Sequence, residues 1–293
     1  MSLRPHESGG LLGLLAAPLF VFLWSTGFIG AKLGMPHAEP MTFLTLRQGG
    51  VVLLLGTAAL LLRAAWPPPS DWPRIARIGV LMHGAYLGGV FTAISLGLNA
   101  GLAALIASLS PLATAALGRG FFGETSTKKQ LFGMALGLGG VALAVVQRLE
   151  ASWADLPAVA LCLCSALAMA WGALEQRALG ATPFLSSNAI QYLAATAFCG
   201  VCVAVFETGR VAWTGEFALA LGWLILVLSI GAVGLFQILL RRGAAAEATS
   251  LLFLTPPAAA FIAWPLFGET LTYGAMAGFA LASLGVALTT GRL

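Results

Sequence analysis

The sequence predicts an all-α integral membrane protein whose ten transmembrane helices form a 5+5 inverted repeat. Three observations predict this fold class: the composition, the division of the chain into ten apolar runs, and a self-match at an offset of 145 residues. Of the 293 residues, 59% are hydrophobic and only 9% are charged, whereas soluble domains carry roughly 25% charged residues. So few charges cannot cover a water-facing surface. A disordered chain is also excluded, because it needs charge and lacks bulky apolar residues.

The apolar runs give the expected helices. A helix crosses a bilayer in about 20 residues, and charges, proline clusters and glycine turns divide this chain at about that spacing. Several connections are only a few residues long, so neighbouring helices are expected to be antiparallel. The ten runs cover residues 11–31, 41–62, 75–98, 100–122, 130–146, 156–174, 184–206, 217–240, 244–267 and 271–290.

The basic residues predict the orientation. With an even number of spans both termini lie on one side, and lysine and arginine concentrate on the cytoplasmic side. Placing the termini inside puts 11 of the 15 basic residues there, leaves Lys32, Arg148 and Arg210 outside, and puts Arg47 within a span. Both termini are therefore expected in the cytoplasm. The first apolar run continues into further spans, so no cleavable signal peptide is expected.

The offset of 145 residues aligns two halves of the chain. It matches a proline and two four-residue segments with their copies: Pro111 with Pro256, 122–125 (Phe-Gly-Glu-Thr) with 267–270, and 140–143 with 285–288. Five spans per copy is an odd number, so the second copy enters the membrane from the opposite side, as in inverted repeats that support alternating access. The other interpretation is a duplication that only enlarged a bundle. The expected domains are a cytoplasmic tail (1–10), a first repeat (11–147), an outer connecting loop (148–155) and a second repeat (156–291).

The doubled Phe-Gly-Glu-Thr segment places Glu124 and Glu269 on opposite sides of the membrane under this topology. A role in substrate binding would therefore have to operate in two compartments. A tight glycine turn, with the acid at the N-terminus of the following helix where the helix dipole favours negative charge, explains both copies. We therefore expect a structural role for both glutamates.

Prolines within two helices and a GxxxG motif in a third lie in the expected membrane interior. Pro111 and Pro256 interrupt helices at matching positions, and breaks in both halves indicate a site near the midplane. The fourth and ninth helices are therefore expected to line the pathway. Gly133 and Gly137 form a GxxxG motif in the fifth helix, which indicates close helix packing or a dimer face.

The chain resembles an EamA-type member of the drug/metabolite transporter superfamily from about residue 11 to residue 290. The residues that carry the resemblance are Leu-Trp-Ser-Thr-Gly-Phe at 23–28, Lys32, Arg47, the proline helices at 110–111 and 255–257, and the doubled Phe-Gly-Glu-Thr. The resemblance implies ten helices with both termini inside and a central cavity between the repeats. It also implies, for bacterial members, export of amino acids, related metabolites or toxic compounds across the inner membrane, often driven by proton exchange.

Polar groups are costly in lipid and face a bundle interior or an aqueous cavity. Arg47 is a candidate anion or carboxylate clamp, and the alternative is a structural arginine that binds backbone carbonyls or reaches outward. His83 and Glu247 are the candidates for proton coupling. The alternative for His83 is a neutral histidine that only packs, and the alternative for Glu247 is a carboxylate that stabilises a helix N-terminus. Glu175 is expected to form an ion pair with Arg177. The predicted substrate-cavity residues are Trp24, Ser25, Thr26, Arg47, His83, Tyr86, Pro111, Trp171, Gln191, Tyr192, Gln237, Thr255 and Pro256.

The expected function is export of small metabolites, amino acids or related polar or amphipathic solutes, by alternating access. A facilitator, an exchanger or a multidrug exporter is the alternative, and a non-transporting scaffold or an enzyme is a minor one. An intramembrane enzyme needs clustered acids, histidines or metal ligands, so no catalytic residue, metal or cofactor is predicted. The first span has no acid, which disfavours obligatory selection of organic cations. The expected partners are a small-molecule substrate, the lipid bilayer and coupling protons, without nucleic acid, and both a monomer and a homodimer remain open.

Overall fold

The structure is a computed structural model that describes residues 11–121, 127–151, 155–232, 235, 254–269 and 272–289. Its regular structure is helical, and these residues contain no β-structure beyond an isolated bridge between Ala38 and Val211. The helices in chain order are α1 (Leu11–Gly34), α2 (Pro40–Leu61), α3 (Pro69–Ser95), α4 (Ala100–Phe121), α5 (Lys128–Ala151), α6 (Leu156–Leu179), α7 (Phe184–Phe206), α8 (Gly215–Ala232), α9 (Thr255–Phe267) and α10 (Tyr273–Thr289).

Seven of these helices, α2 to α8, are long and apolar enough to cross a membrane. Two others, α1 and α10, contain shorter apolar stretches at Pro18–Gly34 and Tyr273–Leu288. The helical structure and these apolar helices confirm the prediction of an all-α membrane protein. The helix ends differ from the expected ones, since α5 continues to Ala151 and α6 to Leu179. Parts of the expected spans 217–240 and 244–267 lie outside the described residues.

Three helices depart from regular α geometry. In α4, Ala100–Ala107 and Ser110–Phe121 are separate segments, because the ring of Pro111 clashes with the carbonyl four residues earlier. Both α3 and α8 contain π-helical stretches, at Val80–Ala85 and Trp223–Ala232. Such turns are frequent at functional sites, and both stretches contribute to the cavity described below.

The helices α5 and α10 pack backbone to backbone through glycines. A Cβ added at Gly285 would lie 2.5 Å from the Cα of Gly137 and 2.6 Å from the oxygen of Gly133. One added at Gly140 would lie 2.7 Å from the oxygen of Gly278. The 145-residue offset exchanges the two contacts, since it relates Gly133 to Gly278 and Gly140 to Gly285. Of the two interpretations of the GxxxG motif, the structure shows helix packing within the chain.

Two carboxylates join the α1–α2 loop to the α7–α8 loop. Glu207 accepts hydrogen bonds from the backbone nitrogens of Met41 and Thr42 (2.7 Å each), at the N-terminus of α2. Glu39 accepts hydrogen bonds from the backbone nitrogen and hydroxyl of Thr208 (2.8 and 2.7 Å). These bonds from Thr208 lower the pKa of Glu39 below its ordinary value, so the carboxylate is ionised at neutral pH. We call this end of the bundle, where α1 ends, the Lys32 end; the opposite end, where α6 ends, is the Gly180 end.

Candidate functional site

A cavity of about 610 Å³ lies between α1, α2, α3, α6, α7 and α8. Small-molecule sites have volumes of roughly 300–1,000 Å³, so the cavity has the size of one. The exposed loop residues Gly180 and Ala181 form part of its wall, and the cavity therefore reaches the Gly180 end. Its lining residues come from both halves of the chain: Trp24, Gly27, Phe28, Arg47, Met82, His83, Tyr86, Leu87, Val90, Phe91, Met169, Gln176, Gly180, Ala181, Thr182, Phe184, Asn188, Gln191, Tyr192, Leu228 and Ser229.

Arg47 is the permanently charged residue of this described wall, which includes no Asp or Glu. The residue is only 4% exposed, and its Nε has no hydrogen-bond partner. Tyr86 and Tyr192 lie within electrostatic range of the guanidinium. The ion pairs found among the described residues all involve other groups. Arg47 thus places a positive charge in the wall that no described carboxylate compensates.

His83 lies on the π-helical stretch of α3 and stacks on Tyr192 of α7. The two ring centroids are 4.2 Å apart and the rings are inclined by 15°. The backbone oxygen of His83 accepts a hydrogen bond from Nε2 of Gln48 (2.8 Å), so a buried side chain of α2 holds this stretch. On the same wall, Gln191 donates to Oε1 of Gln176 (2.8 Å). The wall therefore combines an imidazole, phenols and amides around one cation.

Ser25 and Thr26 were expected in the cavity, but neither is among its lining residues. The Ser25 hydroxyl donates to the backbone oxygen of Val21 (2.7 Å) and to that of Thr255 (3.3 Å), which ties α1 to α9. Thr26 donates to the backbone oxygen one turn earlier and accepts from Nε1 of Trp223 (2.8 Å). Serine and threonine in helices commonly satisfy their hydroxyls in this way, so polarity alone did not place them in the cavity.

Trp171 and Glu175 also lie outside the cavity wall. The Trp171 indole nitrogen donates to Oε1 of Glu175 (3.0 Å), and Arg77 donates its Nε to the same carboxylate (2.8 and 3.0 Å). The expected ion pair of Glu175 is present, but its partner is Arg77 of α3 rather than Arg177. Residues two apart on a helix point in different directions, whereas α3 packs alongside α6.

The remaining predicted residues belong to α4, α8 and α9, or are not described. Pro111, Thr255 and Pro256 do not line the cavity, and no described residue of α4 or α9 does. The two helices pack closely against each other instead, since a Cβ at Gly101 would lie 2.7 Å from that of Ala260. The expectation that α4 and α9 line the pathway is not met by this cavity. Gln237, Glu247 and Glu124 lie outside the described residues.

Glu269 links helices of the two halves at the Lys32 end. Its carboxylate pairs with Lys32 at the end of α1 and accepts a hydrogen bond from the backbone nitrogen of Ala100 (3.0 Å) at the start of α4. The preceding Gly268 has φ +66°, so the expected tight glycine turn is present. The acid binds the N-terminus of α4, in the other half of the chain. A helix dipole attracts a carboxylate from any neighbouring chain segment.

Of the residues predicted for the cavity, six line it: Trp24, Arg47, His83, Tyr86, Gln191 and Tyr192. Asn188 and Ser229 were missed, although they carry the same signal, a polar group within an apolar run. Met82 and Met169 also line the cavity, and nothing in the sequence separates them from packing residues. Whether these side chains contact a substrate remains a prediction.

The sequence profile described as the EamA-like transporter family matches residues 11–146 and residues 156–291. The chain therefore contains two copies of the unit that defines this family. The two matches begin 145 residues apart, at the offset of the internal repeat.

Two proteins whose sequences resemble this chain are named as a transporter and an efflux pump. The chain is 27% identical over 268 residues to the "Uncharacterized inner membrane transporter YedA" of Escherichia coli K12, covering 89% of this chain and 85% of that protein. It is 30% identical over 160 residues to a "Probable amino-acid metabolite efflux pump" of Salmonella typhimurium, covering 55% of this chain and 51% of the pump. A crystal structure aligns with a TM-score of 0.64 at 22% identity, covering 94% of this chain and 96% of the other, which supports the fold alone.

Proposed function

This chain belongs to the EamA-like transporter family, and we propose that it exports small metabolites, amino acids or related amphipathic solutes, across a bacterial inner membrane by alternating access. The observation that carries the proposal is the cavity, which both halves line and which reaches the Gly180 end. At the Lys32 end, the Glu269 contacts and the loop carboxylates join the helices. Alternating access requires one central site that is accessible from one side at a time.

The proposed architecture has ten spans in two five-helix units of opposite orientation. The two family matches support it, because each covers one half of the chain. The contact between α5 and α10 supports it as well, since a pseudo-two-fold axis would exchange Gly140 with Gly285 and Gly133 with Gly278, as the 145-residue offset does. Such an axis lets the two halves exchange conformations during transport.

The proposed orientation places both termini and the Gly180 end in the cytoplasm. It follows from the excess of lysine and arginine assigned to that side. The structure then corresponds to a state that is open to the cytoplasm and closed at the Lys32 end. An exporter binds its substrate in this state.

The name of one relative supports amino acids or related metabolites as substrates, and the wall supports amphipathic solutes. One relative is named as an amino-acid metabolite efflux pump, and the wall joins aromatic and methionine side chains to amides, phenols and a guanidinium. Facilitated diffusion or exchange is the second candidate mechanism. It is favoured by the lack of any Asp or Glu among the described lining residues, because such a wall offers few groups that carry a proton.

Efflux from proteoliposomes tests the function. Liposomes that contain the purified protein and a mixture of amino acids and common metabolites are expected to lose one solute class selectively and saturably. Mass spectrometry of the retained contents, with and without an imposed pH gradient, identifies that class. Retention equal to that of protein-free liposomes, from protein shown to be folded, would contradict the proposal.

Coupling to protons is tested with His83, because imidazole is the side chain of the described wall whose ordinary pKa lies closest to neutral pH. His83→Ala is expected to abolish the part of efflux that depends on the pH gradient and to leave solute exchange intact. Arg47 and Tyr192 are the charged and titratable groups near this imidazole. His37→Ala is the matched control, because His37 lies in the α1–α2 loop and pairs with Glu216. Full pH dependence in the His83 variant would favour the exchanger.

A further inference from the structure

We infer that the cavity binds amphipathic monocarboxylates through Arg47, and that it takes anions without an ammonium group in preference to zwitterionic amino acids. The inference rests on the proposed function, because it names the substrate class of the same cavity. Three features of the described wall carry it: a buried guanidinium whose Nε has no hydrogen-bond partner, the lack of any acid, and an apolar surface around the cation.

The guanidinium of Arg47 points to an anionic ligand. It is nine-tenths buried or more, it belongs to the cavity wall, and its Nε has no hydrogen-bond partner. A buried ion without a partner is strongly unfavourable, and intramembrane charges generally pair or serve a transported solute. A carboxylate completes the arrangement, because the planar fork of a guanidinium matches its two oxygens.

Among the residues that the structure describes, Glu175 and Glu269 are engaged away from the cavity. Glu175 binds Arg77 and Trp171, and Glu269 binds Lys32. A bound monoanion therefore balances the charge of the described wall. A zwitterion adds an ammonium that finds no carboxylate there, and an amine adds a second positive charge to the one already present.

The rest of the wall suits the apolar part of such an anion. Its aromatic and aliphatic members include Phe28, Phe91, Met82, Met169 and Leu228. Methionine side chains are unbranched and adapt to ligands of different shape. The cavity of about 610 Å³ leaves room for an aryl or branched alkyl group beside a carboxylate bound to the guanidinium. The charge thus selects the head group and the apolar surface tolerates a range of side chains.

Isothermal titration calorimetry on the full-length protein in detergent tests the preference. The probes share a phenyl ring and differ in charge: 3-phenylpropionate, N-acetylphenylalanine, phenylalanine and phenylalanine amide. We expect both monoanions to bind at least about 10-fold more tightly than phenylalanine, and the amide to show no binding. Equal or tighter binding of phenylalanine, or binding of the amide, would overturn the inference.

Substitution of the cation tests its role. Arg47→Gln is expected to weaken 3-phenylpropionate binding by a factor on the order of 50, and Arg47→Lys by about 10-fold, because lysine keeps the charge and loses the fork. Arg63→Gln is the matched control: Arg63 is an exposed arginine just after α2, and its loss is expected to leave the affinity unchanged. Unchanged affinity in Arg47→Gln would overturn the inference.

Thermal unfolding distinguishes a binding arginine from a structural one. Because the guanidinium is buried, its Nε has no hydrogen-bond partner and no described carboxylate balances its charge, Arg47→Gln is expected to retain or raise the Tm of the ligand-free protein. 3-Phenylpropionate is expected to raise the Tm of the wild type but not that of the variant. A lower Tm in the ligand-free variant, with stabilisation by 3-phenylpropionate retained, would identify a structural arginine and overturn the inference.

Flux through proteoliposomes separates this inference from the proposed function. Monoanion binding that depends on Arg47, without any efflux, would overturn transport and leave the inference standing. Saturable efflux of amines or zwitterions that Arg47→Gln leaves unchanged would overturn the inference and leave transport standing.

Discussion

Replacing Glu269 with Gln is expected to reduce transport at least about 10-fold, because the state closed at the Lys32 end is then less populated. The carboxylate joins α1, α4 and the turn after α9 through Lys32 and the backbone nitrogen of Ala100. Glu269 is 7% exposed and Lys32 is 29% exposed, so solvent screens the pair only in part. Neutralising one partner removes about 2 kcal/mol from the closed state, which shifts a two-state equilibrium by about 30-fold.

Cysteine labelling measures this shift. In the proposed orientation the Lys32 end faces the outside of the cell. A cysteine replaces the cavity residue Phe28 in a background without the four native cysteines, and intact cells are treated with a membrane-impermeant maleimide. Glu269→Gln is expected to raise the labelling rate about 10-fold. Glu216→Gln is the control, since its contact with His37 lies at the same end but Glu216 is 52% exposed, and exposed pairs contribute little. Wild-type labelling and transport in Glu269→Gln would show that the pair does not hold this end closed.

The fold was largely predictable because its signals are local or periodic. Hydropathy places the helices, and the copied Phe-Gly-Glu-Thr and glycine segments give the offset at which the family profile matches a second time. The π-helical stretch of α3 was not predictable, because it depends on a neighbouring helix. A Cβ at Gly79, just before the stretch, would lie 2.6 Å from the carbonyl carbon of Gln191 in α7. No pattern within residues 80–85 reveals that close approach.

The residues that line the cavity were predictable where a polar side chain does not bind a carbonyl of its own helix. Arg47 and His83 have side chains that a lipid-facing helix does not accommodate, and both line the cavity. Ser25 and Thr26 have the same polarity, but their hydroxyls reach carbonyls of their own helix. The partners of Glu175 and Glu269 were not predictable, because they lie 98 and 237 residues away in the sequence, at Arg77 and Lys32. Pairings over such separations depend on how the helices pack.

Gly285→Ala is expected to cause a large loss of stability, because the contact that it disturbs is between backbones. The new Cβ would lie 2.5 Å from the Cα of Gly137 and 2.6 Å from the oxygen of Gly133, so α5 and α10 would have to separate. Overpacking of this kind costs about 3 kcal/mol, and a change of that size lowers the Tm of a protein this long by roughly 6–12 °C. Thermal unfolding in detergent, followed by intrinsic fluorescence, measures the effect.

Substitutions of glycines in α5 test whether the two halves are related by a pseudo-two-fold axis. Gly139→Ala is the matched control, because its added Cβ meets no described atom of another helix within 4 Å and alanine favours the helix, so the Tm is expected to stay or rise slightly. Gly140→Ala, the copy of Gly285 in the first half, would place its Cβ 2.5 Å from the backbone nitrogen of Ala282 and is expected to cost as much. A pseudo-two-fold axis through the α5–α10 contact requires these two losses to be similar, because it makes the two sites equivalent. A large loss at Gly285 with none at Gly140 would contradict that axis, and with it the structural basis for the proposed exchange of the two halves during transport.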